Sequence, residues 1–280
     1  MAPHAAGVVA APFVWPHRQR AAVSLSYDDA IDSQLDNAVP ALDKAGIKAT
    51  FYLTLSSESL RKRLPAWRAL AAHGHELGNH TLFHPCSRAL PGREWVTPDN
   101  DLDHIRASQW AAQVRVGNTM LRAIDGRSER TFTLPCGDFN ASGEPVLPLI
   151  AGDFIAIKAG DGGVVPDMWT LDIHRVGVTA PAGVTGAWLI AQVEAAGARG
   201  TMINFTFHGI GGDYLTVSNQ AHAELLAYLA AHRDRYWTAP FIEIMRYVAQ
   251  RQAAAANVGA ASAATVGAAS AATRQSSLKP

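Results

Sequence analysis

The sequence predicts an α/β fold in which seven to eight parallel strands, each followed by a helix, close into a barrel. Three observations carry this reading. Short apolar runs alternate with segments of helical period over about 230 residues, a length at which (β/α) barrels form one domain. Glycines stand where the helical segments should stop, at Gly46, Gly74, Gly126 and Gly197. Ionisable residues recur where strands run out: Asp28-Asp29, His80 with His84, and His208. In parallel α/β folds that end of the sheet builds the site.

Residues 1–20, with Pro3, Pro12 and Pro16, form an irregular lead-in. Ala21 to Tyr27 is a short apolar run and reads as the first strand, stopping at Asp28-Asp29. Leu35, Val39 and Leu42 give residues 34–45 a helical stripe that ends at Gly46. Lys48 to Thr54 is the second strand, residues 58–73 a helix, and Glu76-Leu77-Gly78 the third strand, leading into His80. Residues 86–103 are rich in Pro, Gly, Asp and Asn and predict a long loop, which in a compact domain is usually functional. Residues 104–124 are helical. Thr131 to Leu134 is the fourth strand and runs into Pro135-Cys136-Gly137-Asp138. Phe154 to Ile157 is the fifth and Trp169 to Ile173 the sixth. A helix at 187–196 precedes Thr201 to Phe207, a strand of the continuous apolar kind buried on both faces. Residues 219–232 are helical, Tyr236-Trp237 is a short eighth strand, and Phe241 to Gln252 a last amphipathic helix. One domain is therefore expected over 21–252. In residues 253–280 the stretch VGAASAAT occurs twice in succession, a composition that builds no core and reads as a disordered tail.

Hydrophobic residues make up 48% of the 280 and charged residues 17%, as in globular rather than disordered chains. Lys plus Arg and Asp plus Glu both number 24. No net field recruits nucleic acid or an acidic membrane, and neither is expected as a partner. No apolar run reaches the ~18 residues of a spanning helix. Residues 1–16 lack the basic start and apolar core of a signal peptide. Cys86 and Cys136 are too few for a disulfide framework.

His80 and His84 lie four apart, and Pro85 follows. If residues 80–84 make one helical turn, both rings share a face and reach one ion, and Pro85 stops the turn. One Asp and two His form a three-ligand set that leaves positions open for water, as catalytic metals require. A second carboxylate can take the water's proton, and a further His can protonate a leaving group. This inventory suits metal-assisted hydrolysis of an amide or ester. Each part has a plainer alternative. Asp-Asp serves as a helix cap or turn, and His208 as a hydrogen-bonded core residue. Two His and one carboxylate also describe the non-haem iron triad, though the strand–helix alternation argues against that class.

Ser26-Tyr27-Asp28-Asp29, then His80-Thr81-Leu82-Phe83-His84-Pro85, then Thr206-Phe207-His208 resembles the polysaccharide deacetylase family (the NodB homology domain, carbohydrate esterase family four) over roughly residues 20–250. The resemblance implies a distorted (β/α) barrel. It implies Asp28 as general base, Asp29, His80 and His84 as metal ligands, and His208 as the acid. One divalent metal is implied, zinc first, with cobalt or nickel as alternatives. The implied substrate is an acetylated poly- or oligosaccharide, N-acetylated as in chitin and peptidoglycan or O-acetylated as in xylan, in a periplasmic or secreted setting. One motif departs from the family. Its usual Arg-Pro-Pro-Tyr-Gly reads here Thr133-Leu134-Pro135-Cys136-Gly137, so the arginine that would hold the base is missing. Cys136 stands where the family's backbone N–H makes the oxyanion contact, which needs no particular side chain. What pairs with Asp28 stays open, with Asp138 and Arg175 near in sequence only. A non-catalytic sugar-binding protein on the same fold is the alternative reading. Trp169 falls near the family's aspartate-tryptophan motif and is a candidate wall of the acetyl pocket. Trp95, Tyr214 and Trp237 are candidate sugar-facing aromatics, each equally able to serve packing. Cys86 adjoins His84-Pro85 and Cys136 sits in the altered motif. If the motifs converge, the thiols approach and can pair; the alternative is two free thiols. Nothing in the sequence fixes the oligomeric state.

Overall fold

Along β1 (Ala21–Asp28) alternate residues are small or polar: Ala22, Ser24, Ser26 and Asp28. The residues between them, Ala21, Val23, Leu25 and Tyr27, join an apolar cluster with helix residues such as Leu42, Leu189 and Leu225. Successive side chains of a strand face opposite ways, so β1 turns its polar set into the barrel and its apolar set outward. In the computed structural model, which describes residues 12–257, the same rule organises every strand that follows. These are β2 (Thr50–Leu53), β3 (Glu76–Asn79) and β4 (Thr131–Thr133). A small antiparallel hairpin of β5 (Asn140–Ala141) and β6 (Glu144–Pro145) intervenes. Then come β7 (Ala156–Asp161), β8 (Val176–Val178), β9 (Met202–Phe207) and the short β10 (Tyr236–Thr238).

The parallel order runs β9, β1, β2, β3, β4, β7, β8, with β10 beside the first residues of β1. The ring nearly closes. Thr179 N–H donates to Asn204 O at 2.9 Å and Thr206 N–H to Thr179 O at 2.9 Å, joining the end of β8 to β9. Seven strands and a strand–helix alternation are what the sequence led us to expect.

Outside the barrel lie α1 (Val39–Ala45), α2 (Glu58–Ala72), α3 (Ala107–Asp125), the short α4 (Leu147–Ile150), α5 (Gly186–Arg199), α6 (Asn219–Ala231) and α7 (residues 241–257). Ser57, Thr185 and Ser218 cap α2, α5 and α6 by accepting from the backbone N–H three residues on. Gly46, Gly126 and Gly200 end α1, α3 and α5 in left-handed conformations. One apolar layer joins α1, α2, α5 and α6 to β1, β2 and β9. A second joins Trp110 and Val114 of α3 to Phe132 and Ile157 of β4 and β7.

The lower end of the barrel is plugged. The buried Glu76 carboxylate accepts from Thr50 Oγ1 at 2.7 Å, Thr131 Oγ1 at 2.5 Å and Ile242 N at 3.0 Å. It thereby caps the first turn of α7, where anionic groups are favoured. Trp15, Phe241, Met245 and Val248 pack below it. Of the expected lead-in, residues 1–11 lie outside the described residues, and Trp15 is buried and belongs to the core.

The sequence placed the sixth strand at 169–173, but the strand is β8, three residues further on. Asp167 and Asp172 explain the shift. Asp167 accepts from Trp169 N at 3.0 Å and Thr170 Oγ1 at 2.9 Å, and Asp172 from His174 N at 2.8 Å. Those side-chain turns compete with extended pairing. Helix α7 also continues through residue 257, five residues into the expected tail. Residues 258–280 lie outside the described residues.

Candidate metal centre and active-site pocket

Asp28 faces inward by the alternation of β1. Asp29 should then face outward, but it adopts φ 83°, a left-handed conformation that Asp tolerates. That turn carries its carboxylate to the same side as Asp28. The third strand delivers the histidines. Asn79, pointing out of the barrel, donates to Val114 O at 2.9 Å in α3 and accepts from Thr81 N at 2.7 Å. Gly117 makes this docking feasible, because a Cβ there would lie 2.9 Å from Asn79 Nδ2. His80 then enters the pocket and donates from Nδ1 to Thr133 O at 2.9 Å, which leaves Nε2 free to ligate.

Residues 80–84 do not form the helical turn that the spacing suggested. Thr81 and His84 are left-handed, with φ of 67° and 53°, and Thr81 Oγ1 accepts from His84 N at 2.9 Å. The two imidazoles meet all the same, with ring centroids 4.7 Å apart. His80 Nε2 lies 3.2 Å and His84 Nε2 3.4 Å from Asp29 Oδ1. The three ligating atoms sit within 4.8 Å of one another. Asp29 Oδ1 is buried without a hydrogen-bond partner among the described residues. A carboxylate oxygen left bare between two imidazole nitrogens suits a divalent cation.

The surrounding groups reinforce this. His208, just past the end of β9, places Nε2 3.8 Å from Asp29 Oδ2. Tyr214 donates its hydroxyl to that same oxygen at 2.8 Å. Thr133 Oγ1 donates to Asp28 Oδ2 at 3.3 Å. Burial alone would raise the Asp29 carboxyl, but the approach of the His80 Nε2 and the charges of His80, His84 and His208 outweigh it and hold it well below the usual range. Burial would lower His80, yet its close approach to Asp29 and the charges of Asp28 and Asp29 raise it. His84 is pulled down to about 4 by burial and by His80.

These groups line a cavity of about 910 Å³ that opens at the C-terminal end of the strands. Leu134, Val178 and Leu215 supply apolar walls, and Trp95 and Tyr214 stand at the rim, both more than half exposed. Trp95 lies 6.1 Å from the His84 ring, centroid to centroid. The long loop that carries it is tethered. Arg93 donates to Asp138 Oδ2 at 3.0 Å and Cys136 O at 3.1 Å, and Asp101 accepts from Arg88 N and Asp103 N, both at 3.1 Å. Cys86 and Cys136 form a disulfide, with Cα atoms 6.0 Å apart. Of the two alternatives open in the sequence, the thiols pair. Cys136, with φ 57°, belongs to the turn Pro135–Gly137 that borders the cavity.

Two expected site residues lie elsewhere. Trp237 pairs with Ala22 at the start of β1, six residues or about 20 Å of strand from Asp28. It packs against Trp15 and Tyr247. Trp169 packs against Phe13 in the same lower region, at 4.9 Å between centroids. Both were drawn there by the apolar underside, so neither borders the cavity. Asp138 is held by Arg93, and Arg175 sits 4.7 Å over the Phe139 ring, so neither pairs with Asp28. Lys158 is among the cavity residues that the sequence reading did not single out. Lys158 of β7 is fully buried and borders the pocket floor. Its only signal is a charge inside the apolar run 154–159.

Residues 17–147 match the family model described as polysaccharide deacetylase. Over that span, just under half of its length, the chain is similar to the polysaccharide deacetylase family. A gellan lyase from a Bacillus species is 24% identical over 254 residues, 86% of this chain. The chain spans about a tenth of that curated relative's length, 10%. Among solved structures, the peptidoglycan deacetylase PdaC from Bacillus subtilis is 16% identical and superposes with a TM-score of 0.52, over 83% of this chain and 93% of that one. A mutant of BA3943, a pseudoenzyme of carbohydrate esterase family four with restored enzymatic activity, superposes at 0.51 with 16% identity, over 81% of this chain and 68% of that one. These likenesses establish the deacetylase fold.

Proposed function

We propose that this protein belongs to the polysaccharide deacetylase family and is a metal-dependent hydrolase that removes acetyl groups, bound as amides or esters, from a carbohydrate. The observation that carries the reading is the convergence of Asp29, His80 and His84 on one cavity with Asp28 and His208 beside them. Asp29, His80 and His84 would hold the cation, zinc first, with cobalt or nickel as alternatives. When bound it supplies a water acidified toward neutral pH and a Lewis acid for the acetyl carbonyl.

Asp28 takes the proton of the attacking water. Its Oδ1 is buried with no partner among the described residues, and Thr133 holds the other oxygen. The backbone N–H of Cys136, at the cavity border, faces the oxyanion as charge develops there. His208, from the far side of Asp29, protonates the leaving nitrogen or oxygen. Tyr214 and His84 flank the ligand carboxylate, and Trp95 offers an exposed ring to a sugar face.

Acetate release tests the reading on chitin oligomers, peptidoglycan, acetyl-xylan and an aryl acetate. Each substrate is run with zinc, cobalt, nickel or chelator. Metal-dependent release that disappears in Asp28→Ala and His80→Ala is expected. A second reading, sugar binding without turnover, is favoured by Thr133 standing where the family has arginine. It predicts glycan affinity that survives Asp28→Asn, with no acetate released by the parent protein.

A further inference from the structure

Lys158 is the fully buried charged residue of the cavity wall to which the proposed chemistry gives no role. Its Nζ donates to Ser26 Oγ and, at 2.8 Å, to Thr206 Oγ1. The rings of Tyr52 and Phe241 lie 4.9 Å and 5.7 Å away. A buried ammonium is costly unless carboxylates compensate it. Two do so, Asp28 from β1 and Glu76 from β3. Burial draws the Lys158 pKa down to about 8, and of the two carboxylates resisting that fall Asp28 is the stronger.

The two carboxylates differ in their own needs. Glu76 already has the hydroxyls of Thr50 and Thr131 and the Ile242 N–H. Asp28 has the Thr133 hydroxyl at 3.3 Å, and its Oδ1 has no partner among the described residues. The register adds the decisive point. Thr133 and Lys158 are paired residues of β4 and β7. Paired residues on adjacent strands project to the same face about 5 Å apart. The cation absent from the altered motif is therefore present one strand over, at the same height in the barrel.

We propose that Lys158 is the positioning residue for Asp28, its ammonium supplying from β7 the positive charge that the motif on β4 lacks. The proposal rests on the reading of Asp28 as the base. Lys158 acts through the hydroxyl floor of Ser26 and Thr206 and the field it sets beneath the carboxylate, without touching substrate.

The test has two arms. In the first, acetate release and metal stoichiometry are measured for Lys158→Met and Lys158→Arg. Lys158→Met should bind metal like the parent, lose about 100-fold in kcat and keep KM within about threefold. Lys158→Arg should recover at least about tenfold of that loss. Equal loss in both variants, or a change confined to KM, overturns the proposal. The second arm needs no turnover. Urea unfolding midpoints are compared for Asp28→Asn in the parent and in Lys158→Met. Asp28→Asn should lower the midpoint in the parent, by stranding the ammonium, and raise it in Lys158→Met, by removing an uncompensated carboxylate. The same reversal with Glu76→Gln and none with Asp28→Asn would assign Lys158 to Glu76 and overturn the proposal. If no acetylated substrate turns over in the parent, the base reading falls, while the midpoints still decide which carboxylate Lys158 serves.

Discussion

Asp29 shows how one dihedral angle can assemble a site. In a regular strand, Asp28 and Asp29 would face opposite ways. With Asp29 at φ 83°, both carboxylates enter one cavity and divide the work between them. Asp28→Asn should keep metal stoichiometry by calorimetric titration while kcat falls about 10²–10⁴-fold, the range for losing a general base. Asp29→Asn should weaken metal binding itself, so the two neighbours separate cleanly in one pair of experiments. Metal removal has a readout of its own. Ligand that binds only the folded state at 100 times its dissociation constant adds about 2.7 kcal/mol. Saturating zinc should therefore raise the thermal midpoint, chelator should reverse the rise, and His84→Ala should show neither effect.

At the scale of elements, β3 and the loop after it carry most of the site's precision. Gly78 leaves room for Tyr52, whose Cδ1 would stand 2.3 Å from a Cβ at that position. Gly78→Ala must displace a buried aromatic ring and should cost about 1–3 kcal/mol, measured by urea unfolding. The disulfide closes a span of 50 residues from the end of β3 to the end of β4. Chain entropy puts its contribution at about 4 kcal/mol at most. Reductant, or paired Cys86→Ser and Cys136→Ser replacements, should lower the urea midpoint accordingly. The elements were also where sequence reading did best and worst. Strands such as β1 and β9 were legible because burial on the outer face demands Val, Leu, Ile and Phe. The sixth was misplaced because two aspartate turns look like part of a strand when only side-chain polarity is read. The histidine pair was legible by spacing, although the helical turn invoked for it is in fact a left-handed bend. Lys158 was not legible, since only the β4–β7 register reveals what stands next to Thr133. The cysteine pair required the fold, because nothing local brings residues 50 apart together.

For the molecule as a whole, acid should be more damaging than base. His75 and His222 are buried, and burial holds both at about 4, against 6.5 for a free histidine. Unfolded, each binds a proton between those values, and folded it does not. The unfolded state therefore gains protons as pH falls from 6.5 toward 4, and stability present at neutral pH is lost over that window. A shift of that size is worth about 3 kcal/mol for His222, whose buried Nε2 lies 2.6 Å from the Tyr27 hydroxyl. His222→Gln keeps a hydrogen-bonding group and cannot titrate. Urea midpoints measured from pH 7 to pH 4.5 should fall less steeply in that variant than in the parent.

The underside of the barrel has a practical meaning. Trp15 near the start of the described chain and Tyr247 near its end stack there, and Tyr247 donates its hydroxyl to Val14 O at 2.6 Å. Both rings belong to the apolar cluster under the barrel, on the face remote from the cavity mouth. A protein anchored through this underside, for example at the exposed Val14, would present its mouth outward. A bulky, immobile polymer could then be worked on without the anchor standing in the way.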